Sequence, residues 1–335
     1  MSMPTLTSKV EKSLPAFIQP RLPLPGTRIT STTINAVNPE LLTSFLPPAM
    51  GFVKSEWTVS YGYGFSVALS ALLLLSKQPQ QLAFSTLHAA ALVFYGLRLN
   101  LFLFLRNKFS PRYREIGKKI DERSKKRFPT RISLAPFVLS CGLIFYGLYI
   151  PAMLTSKLAS DTIAMKTAAG LGLSVMKALI GIQWLGITIA TIADLTKSYV
   201  KASEKDGKFL VTSGVFSIFR HPNFSGEILS WTCNSLCGAL SAAYLLRSRF
   251  SLSMLGYLGL STMGWSSMVF VLLRATSTLE ERQQKEYGGT EKYEKWVKGT
   301  WCGWKLPIKN EDAKKEELPQ ITLNAESEED FGSGI

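Results

Sequence analysis

The chain has 335 residues, is 46% hydrophobic and carries a formal net charge of +14. Its apolar runs are long enough to cross a bilayer, so the positive balance reads as loops held at an anionic membrane face, and nucleic acid is excluded as a partner. Four scattered cysteines (Cys141, Cys233, Cys237, Cys302) exclude a disulfide framework and zinc spacing, and only two histidines, His88 and His221, exclude a His-rich metal site.

Residues 1–50 are rich in Ser, Thr and Pro, carry few acids and lack an apolar signal core. They read as a flexible tail or as an organelle transit segment. A membrane domain is expected over 55–309. It holds six apolar stretches, 57–76, 82–105, 132–154, 168–193, 223–246 and 252–273, each near the ~20 residues that span a bilayer. The predicted fold is therefore all-α, an integral membrane bundle of about six transmembrane helices. Residues 310–335 are acidic and Ser-rich and read as a disordered tail.

Basic residues orient the bundle. The connection 106–131 carries eleven Lys/Arg, the connection 194–222 carries Lys197, Lys201, Lys205, Lys208 and Arg220, and 274–309 is also basic. The alternate connections hold only Lys77, then Lys157 and Lys166, then Arg247 and Arg249. This asymmetry puts both termini and the long connections on the cytosolic side.

Polar residues inside the spans mark the candidate site. The second span holds His88, Tyr95, Arg98 and Asn100. Arg98 needs a partner at that depth, whereas His88 reads as a hydrogen-bonded packing residue. In the fourth span Gln183 and Asp194 are eleven residues apart, which at ~100° per residue leaves their directions only ~20° apart. Lys177 lies in the same span, and Lys197 and Lys201 follow it at a spacing suited to phosphates or to snorkelling at the headgroups.

The densest cluster is Arg220-His221-Pro222-Asn223-Phe224-Ser225-Gly226-Glu227. Pro222 suits a first helical position, and the free N–H groups there attract phosphate or carboxylate. Arg220 and His221 either bind such an anion or anchor the helix at the headgroups. Asn223, Glu227, Ser230, Trp231 and Asn234 continue along one helical face. Packing alone asks for no carboxylate there, so Glu227 is the discriminating residue. After the last span, Ser277 and Glu280 fit a capping box, Gly288-Gly289 breaks the helix, and Tyr293 and Trp296 belong to a surface helix or to the second wall of a pocket.

Residues 220–227, followed by Leu279-Glu280-Glu281 and Tyr287-Gly288, resemble the C-terminal domain of the steroid 5-alpha-reductase-like membrane proteins, and Gly96-Leu97-Arg98-Leu99 is similar to an early-span pattern of that group. The resemblance covers roughly residues 90–305 and makes 194–305 the cofactor region. It implies NADPH-dependent reduction of a carbon–carbon double bond in a lipid or steroid-like substrate, with Arg220, His221 and Asn223 on NADPH and Glu280 beside them; Lys197, from its own position after the fourth span, is the further candidate cofactor contact. Glu227 orients the site, and Tyr95 and His221 are the candidate proton donors. Phe224 stands where that motif has tyrosine, so one hydroxyl is missing. Isoprenylcysteine carboxyl methyltransferases share the Arg-His-Pro core, which keeps S-adenosylmethionine-dependent methylation of a lipidated substrate as the alternative, beside a non-catalytic lipid-binding protein. The family analogy points to the endoplasmic reticulum, with a plastid membrane as second choice.

Overall fold

The computed structural model describes residues 39–77, 83–203 and 210–307. Among them are ten α-helices and no strand: α1 (Pro39–Phe45), α2 (Ser60–Lys77), α3 (Ala83–Phe109), α4 (Pro111–Arg127), α5 (Arg131–Ser160), α6 (Thr162–Ala168), α7 (Leu171–Ser203), α8 (Pro222–Ser248), α9 (Leu252–Tyr287) and α10 (Glu291–Gly299). The chain is an all-helical membrane bundle.

Helix ends follow local chemistry. Thr130 and Ser133 close a reciprocal capping box at the start of α5. The Asp161 carboxylate accepts from the N–H groups of Ile163 and Ala164 at the start of α6. Pro111 and Pro222 open α4 and α8, where a missing N–H costs nothing.

α2, α3, α5, α7 and α9 are long and apolar enough to cross a membrane. The expected sixth span, 223–246, is α8, a 27-residue helix that does not meet that apolarity. The reason is its buried face, which carries Asn223, Ser225, Glu227, Ser230, Asn234 and Ser241. α8 packs between α5, α7 and α9, so protein rather than lipid surrounds that row. α9 has 36 residues, about 54 Å at 1.5 Å per residue, against a hydrocarbon core of ~30 Å. Its last turns therefore project beyond the membrane.

Close helix crossings use glycine where no side chain fits. A Cβ on Gly96 of α3 would strike the Gly64 carbonyl of α2, and one on Gly147 of α5 would strike the Leu260 carbonyl of α9. On α7, a Cβ at Gly186 would lie 2.6 Å from the Gly226 oxygen of α8. Small residues at such crossings let backbones approach where lipid offers no hydrophobic drive between helices. The aromatic core behind them gathers Tyr63, Tyr95, Phe145, Tyr149 and Trp231.

Three expectations are corrected here. Residues 39–50 are not tail: α1 and the turn after it pack on α2 and α5, while 1–38 lie outside the described residues. The basic connection 106–131 is mostly the helix α4, whose Asp121 accepts from the backbone N–H and hydroxyl of Ser55. Ser277 opens no helix; α9 runs through it unbroken, and its hydroxyl donates to the carbonyls of Leu273 and Leu306. The proposed capping box fails because the α-helical pattern continues to Tyr287. The predicted acidic tail, 310–335, lies outside the described residues.

Candidate functional site

The N-terminus of α8 is wrapped by the end of α9, by α10 and by the strap that follows it. The strap enters by a parallel bridge, with Arg220 N–H donating to the Trp301 carbonyl at 2.8 Å and Trp301 N–H to the Ile218 carbonyl at 3.1 Å. Gly303, at φ +81°, lets the strap turn across Ser225, whose hydroxyl occupies the place of a Cβ.

Beneath the strap lies a polar hub. Glu280 accepts from Arg220 Nε at 2.8 Å and Nη2 at 3.2 Å, and from His221 Nε2 at 2.6 Å. Arg220 Nη1 donates to the carbonyls of Val297 and Thr300, both at 2.9 Å. Lys305 Nζ stands 3.7 Å from the same carboxylate. All three nitrogens of Arg220 are therefore engaged within the protein. Burial holds the His221 pKa below its ordinary value, against the upward pull of the Glu280 hydrogen bond and charge.

Lys197, Arg220, His221 and Asn223 line one small cleft with Phe216 and Tyr287, about 30 Å³ in volume and partly open to solvent. Four of the five residues expected to hold a cofactor thus share one wall, and Glu280 stands behind it. No side chain caps α8. Pro222 has no N–H, so the amides of Asn223 and Phe224 lack intrahelical acceptors.

A second polar cluster lies deeper. Arg98 on α3 bridges two carboxylates, Asp194 on α7 through Nη1 at 2.7 Å and Glu227 on α8 through Nη2 at 3.2 Å. Tyr95 donates to Glu227 at 2.8 Å, and Tyr63 on α2 donates to Tyr95 at 2.9 Å. Arg98 also lies over the Tyr95 ring, 5.0 Å from its centroid. Six residues separate His221 from Glu227, about 9 Å along the helix. The structure therefore brings Tyr95 and Glu227 together and leaves His221 in the outer hub.

Other singled-out residues fall elsewhere. His88 bonds Thr155 at 3.0 Å and Asn234 at 2.8 Å, the packing role expected of it. Gln183 shares the buried face of α7 with Asp194, but neither of its amide atoms has a protein partner. Lys177 is exposed in the second turn of α7, near the opposite end of that helix from Asp194. Cys233 and Cys237 are buried packing residues. No group of three metal-ligating side chains occurs among the described residues. Sequence reasoning missed Tyr63, whose only local signal is an aromatic between Gly62 and Gly64, and it missed Trp301 and Lys305 of the strap, which carry no local signal.

No curated protein and no solved structure matches the chain. Residues 50–300, which hold every candidate span, the inner cluster and the outer hub except Lys305, match the family described as "Protein of unknown function (DUF1295)", and the chain belongs to that family.

Proposed function

We propose that the protein is a membrane-embedded reductase that takes NADPH at the cytosolic interface and reduces a carbon–carbon double bond of a lipid or steroid-like substrate. The observation that carries this reading is the arrangement of two polar clusters on α8. A basic, anion-attracting pocket lies at its N-terminus, and a buried hydroxyl–carboxylate pair lies about 9 Å deeper. The steroid 5-alpha-reductase-like pattern of residues 220–227 supports the same assignment.

The residues present fit a phosphate-bearing group. Lys197, the Asn223 carboxamide and the uncapped amide of Asn223 would hold it. Glu280 fixes Arg220 and His221 as the rigid wall of the pocket. NADPH supplies a hydride to one alkene carbon when bound. The other carbon would take the proton of Tyr95 Oη, the Tyr63 hydroxyl donating at 2.9 Å would stabilise the phenolate left behind, and a solvent proton would replace the one consumed. Glu227 and Arg98 orient the Tyr95 hydroxyl. The endoplasmic reticulum is the compartment proposed with this activity.

One observation favours the second reading. Arg220 is so fully used by Glu280, Val297 and Thr300 that little of it is left for a 2′-phosphate, and S-adenosylmethionine asks for no such contact. Equilibrium binding of NADPH, NADH and S-adenosylmethionine to the full chain in nanodiscs separates the two. The reductase reading expects NADPH to bind best and Lys197→Ala to weaken it roughly tenfold, about 1.4 kcal/mol. Binding of S-adenosylmethionine without NADPH would overturn it.

A further inference from the structure

The strap that closes the outer hub also presents an aromatic ladder to the outside. Phe219 and Trp301 meet edge to face with centroids 5.7 Å apart, and Trp301 and Trp304 do so at 5.2 Å. Trp301 and Trp304 are each 44% exposed, and Ile218 beside them is 61% exposed. Trp296, a few residues earlier, shows the contrast: it is buried, and its indole N–H donates to the Phe216 carbonyl at 2.6 Å.

The depth of this ladder follows from α9. Arg274 is the first charged residue after the apolar run of that helix and is exposed. Ser277, three residues on and about 4.5 Å further along the axis, holds the Leu306 carbonyl of the strap at 3.0 Å. The headgroup layer adds about 5–8 Å to each side of the hydrocarbon core. The strap therefore runs at headgroup level, where an indole can keep its ring among acyl carbons and its N–H in the polar layer. Lys295 and Lys298, exposed on α10 just before the ladder, suit an anionic leaflet.

We infer that Ile218, Phe219, Trp301 and Trp304 form a bilayer-interface anchor that seats the strap in the cytosolic leaflet. The anchor is coupled to the outer hub by covalent and hydrogen-bonded links. Trp301 shares two backbone bonds with the 218–220 segment, and Arg220 grips the carbonyls of Val297 and Thr300. The membrane surface thereby becomes part of what holds the pocket wall in place. This inference needs no particular cofactor.

The test uses the full chain in nanodiscs whose lipids carry bromine near the headgroup or near the chain end. Emission of Trp301 and Trp304 is read as the difference between wild type and a Trp301→Phe/Trp304→Phe variant, with each single variant measured as well in case the pair disturbs folding. An unchanged spectrum from the remaining tryptophans in the single variants checks the fold. The anchor predicts that headgroup-side bromine removes most of the difference emission and that aqueous acrylamide removes little. Strong acrylamide quenching with no response to bromine would overturn it and put the ladder in water. Resistance to both quenchers would also overturn it and mean that protein covers the face.

Discussion

Replacing Arg98 by leucine tests the inner cluster most directly. The guanidinium bridges Asp194 and Glu227, at 2.7 Å and 3.2 Å, and all three side chains are largely enclosed by α3, α7 and α8. Removing it strands two buried carboxylates. Breaking a buried ion pair by deleting one partner costs about 3–5 kcal/mol, because the charge left behind cannot recover its hydration. For a domain of this size each kcal/mol lowers Tm by about 2–4 °C, so a loss of roughly 10 °C is expected. The same reasoning makes a second demand. Arg98→Leu combined with Asp194→Asn and Glu227→Gln removes every charge at once and should recover most of the lost stability, since an uncharged set owes no charge desolvation. Thermal unfolding of the purified chain in nanodiscs, followed by intrinsic fluorescence, reads both variants. An Arg98→Leu protein that melts with wild type, or a triple variant no better than the single one, would refute the account of this cluster.

Gly226→Ala should destabilise the α7–α8 crossing by about 1–3 kcal/mol, because the new Cβ would sit 2.5 Å from the Gly186 oxygen. Gly181→Ala, which meets nothing within 4 Å, is the control in the same unfolding assay and should be neutral or slightly stabilising. For His221, the folded pKa lies below the ordinary value, so the folded state binds its proton less readily than the unfolded state. Its contribution to stability is complete above about pH 6.5 and is lost as pH falls toward the lowered folded value. Tm measured across that range should decline on acidification, and His221→Gln should flatten the decline. An identical pH profile in the variant would show that another group controls it.

Hydropathy made most of the bundle legible. Lengths near 20 apolar residues located α2, α3, α5, α7 and α9, and charge asymmetry put the polar connections together. α8 has the length expected of the sixth span but is less apolar than the other five, and α1 and α4 gave no apolar signal at all. α8 keeps a membrane-like length while its buried face is polar, and hydropathy averages the two. α4 is a helix whose solvent side is so basic that its two inward isoleucines, Ile116 and Ile120, are swamped in any window. Neither case concerns local propensity. Both come from which side of a helix meets protein, a property of neighbours rather than of the segment.

The site was legible as a set of residues but not as a set of partnerships. A cation at a helix start is an equally good sign of a bound anion and of a carboxylate supplied from elsewhere in the chain. For Arg220 that carboxylate is Glu280, sixty residues on, and the local pattern around Glu280 fitted a capping box so well that it concealed the pairing. The inner cluster shows the converse. Nothing in spacing separates Tyr95 from ten other tyrosines, yet its bond to Glu227 across 132 positions does. The two clusters consequently differ in what they have left to offer. Arg220 is saturated by Glu280, Val297 and Thr300 and acts as a strut of the outer pocket wall. Below it the Tyr63–Tyr95–Glu227 chain holds its protons in a row, with Arg98 and Asp194 fixing one end.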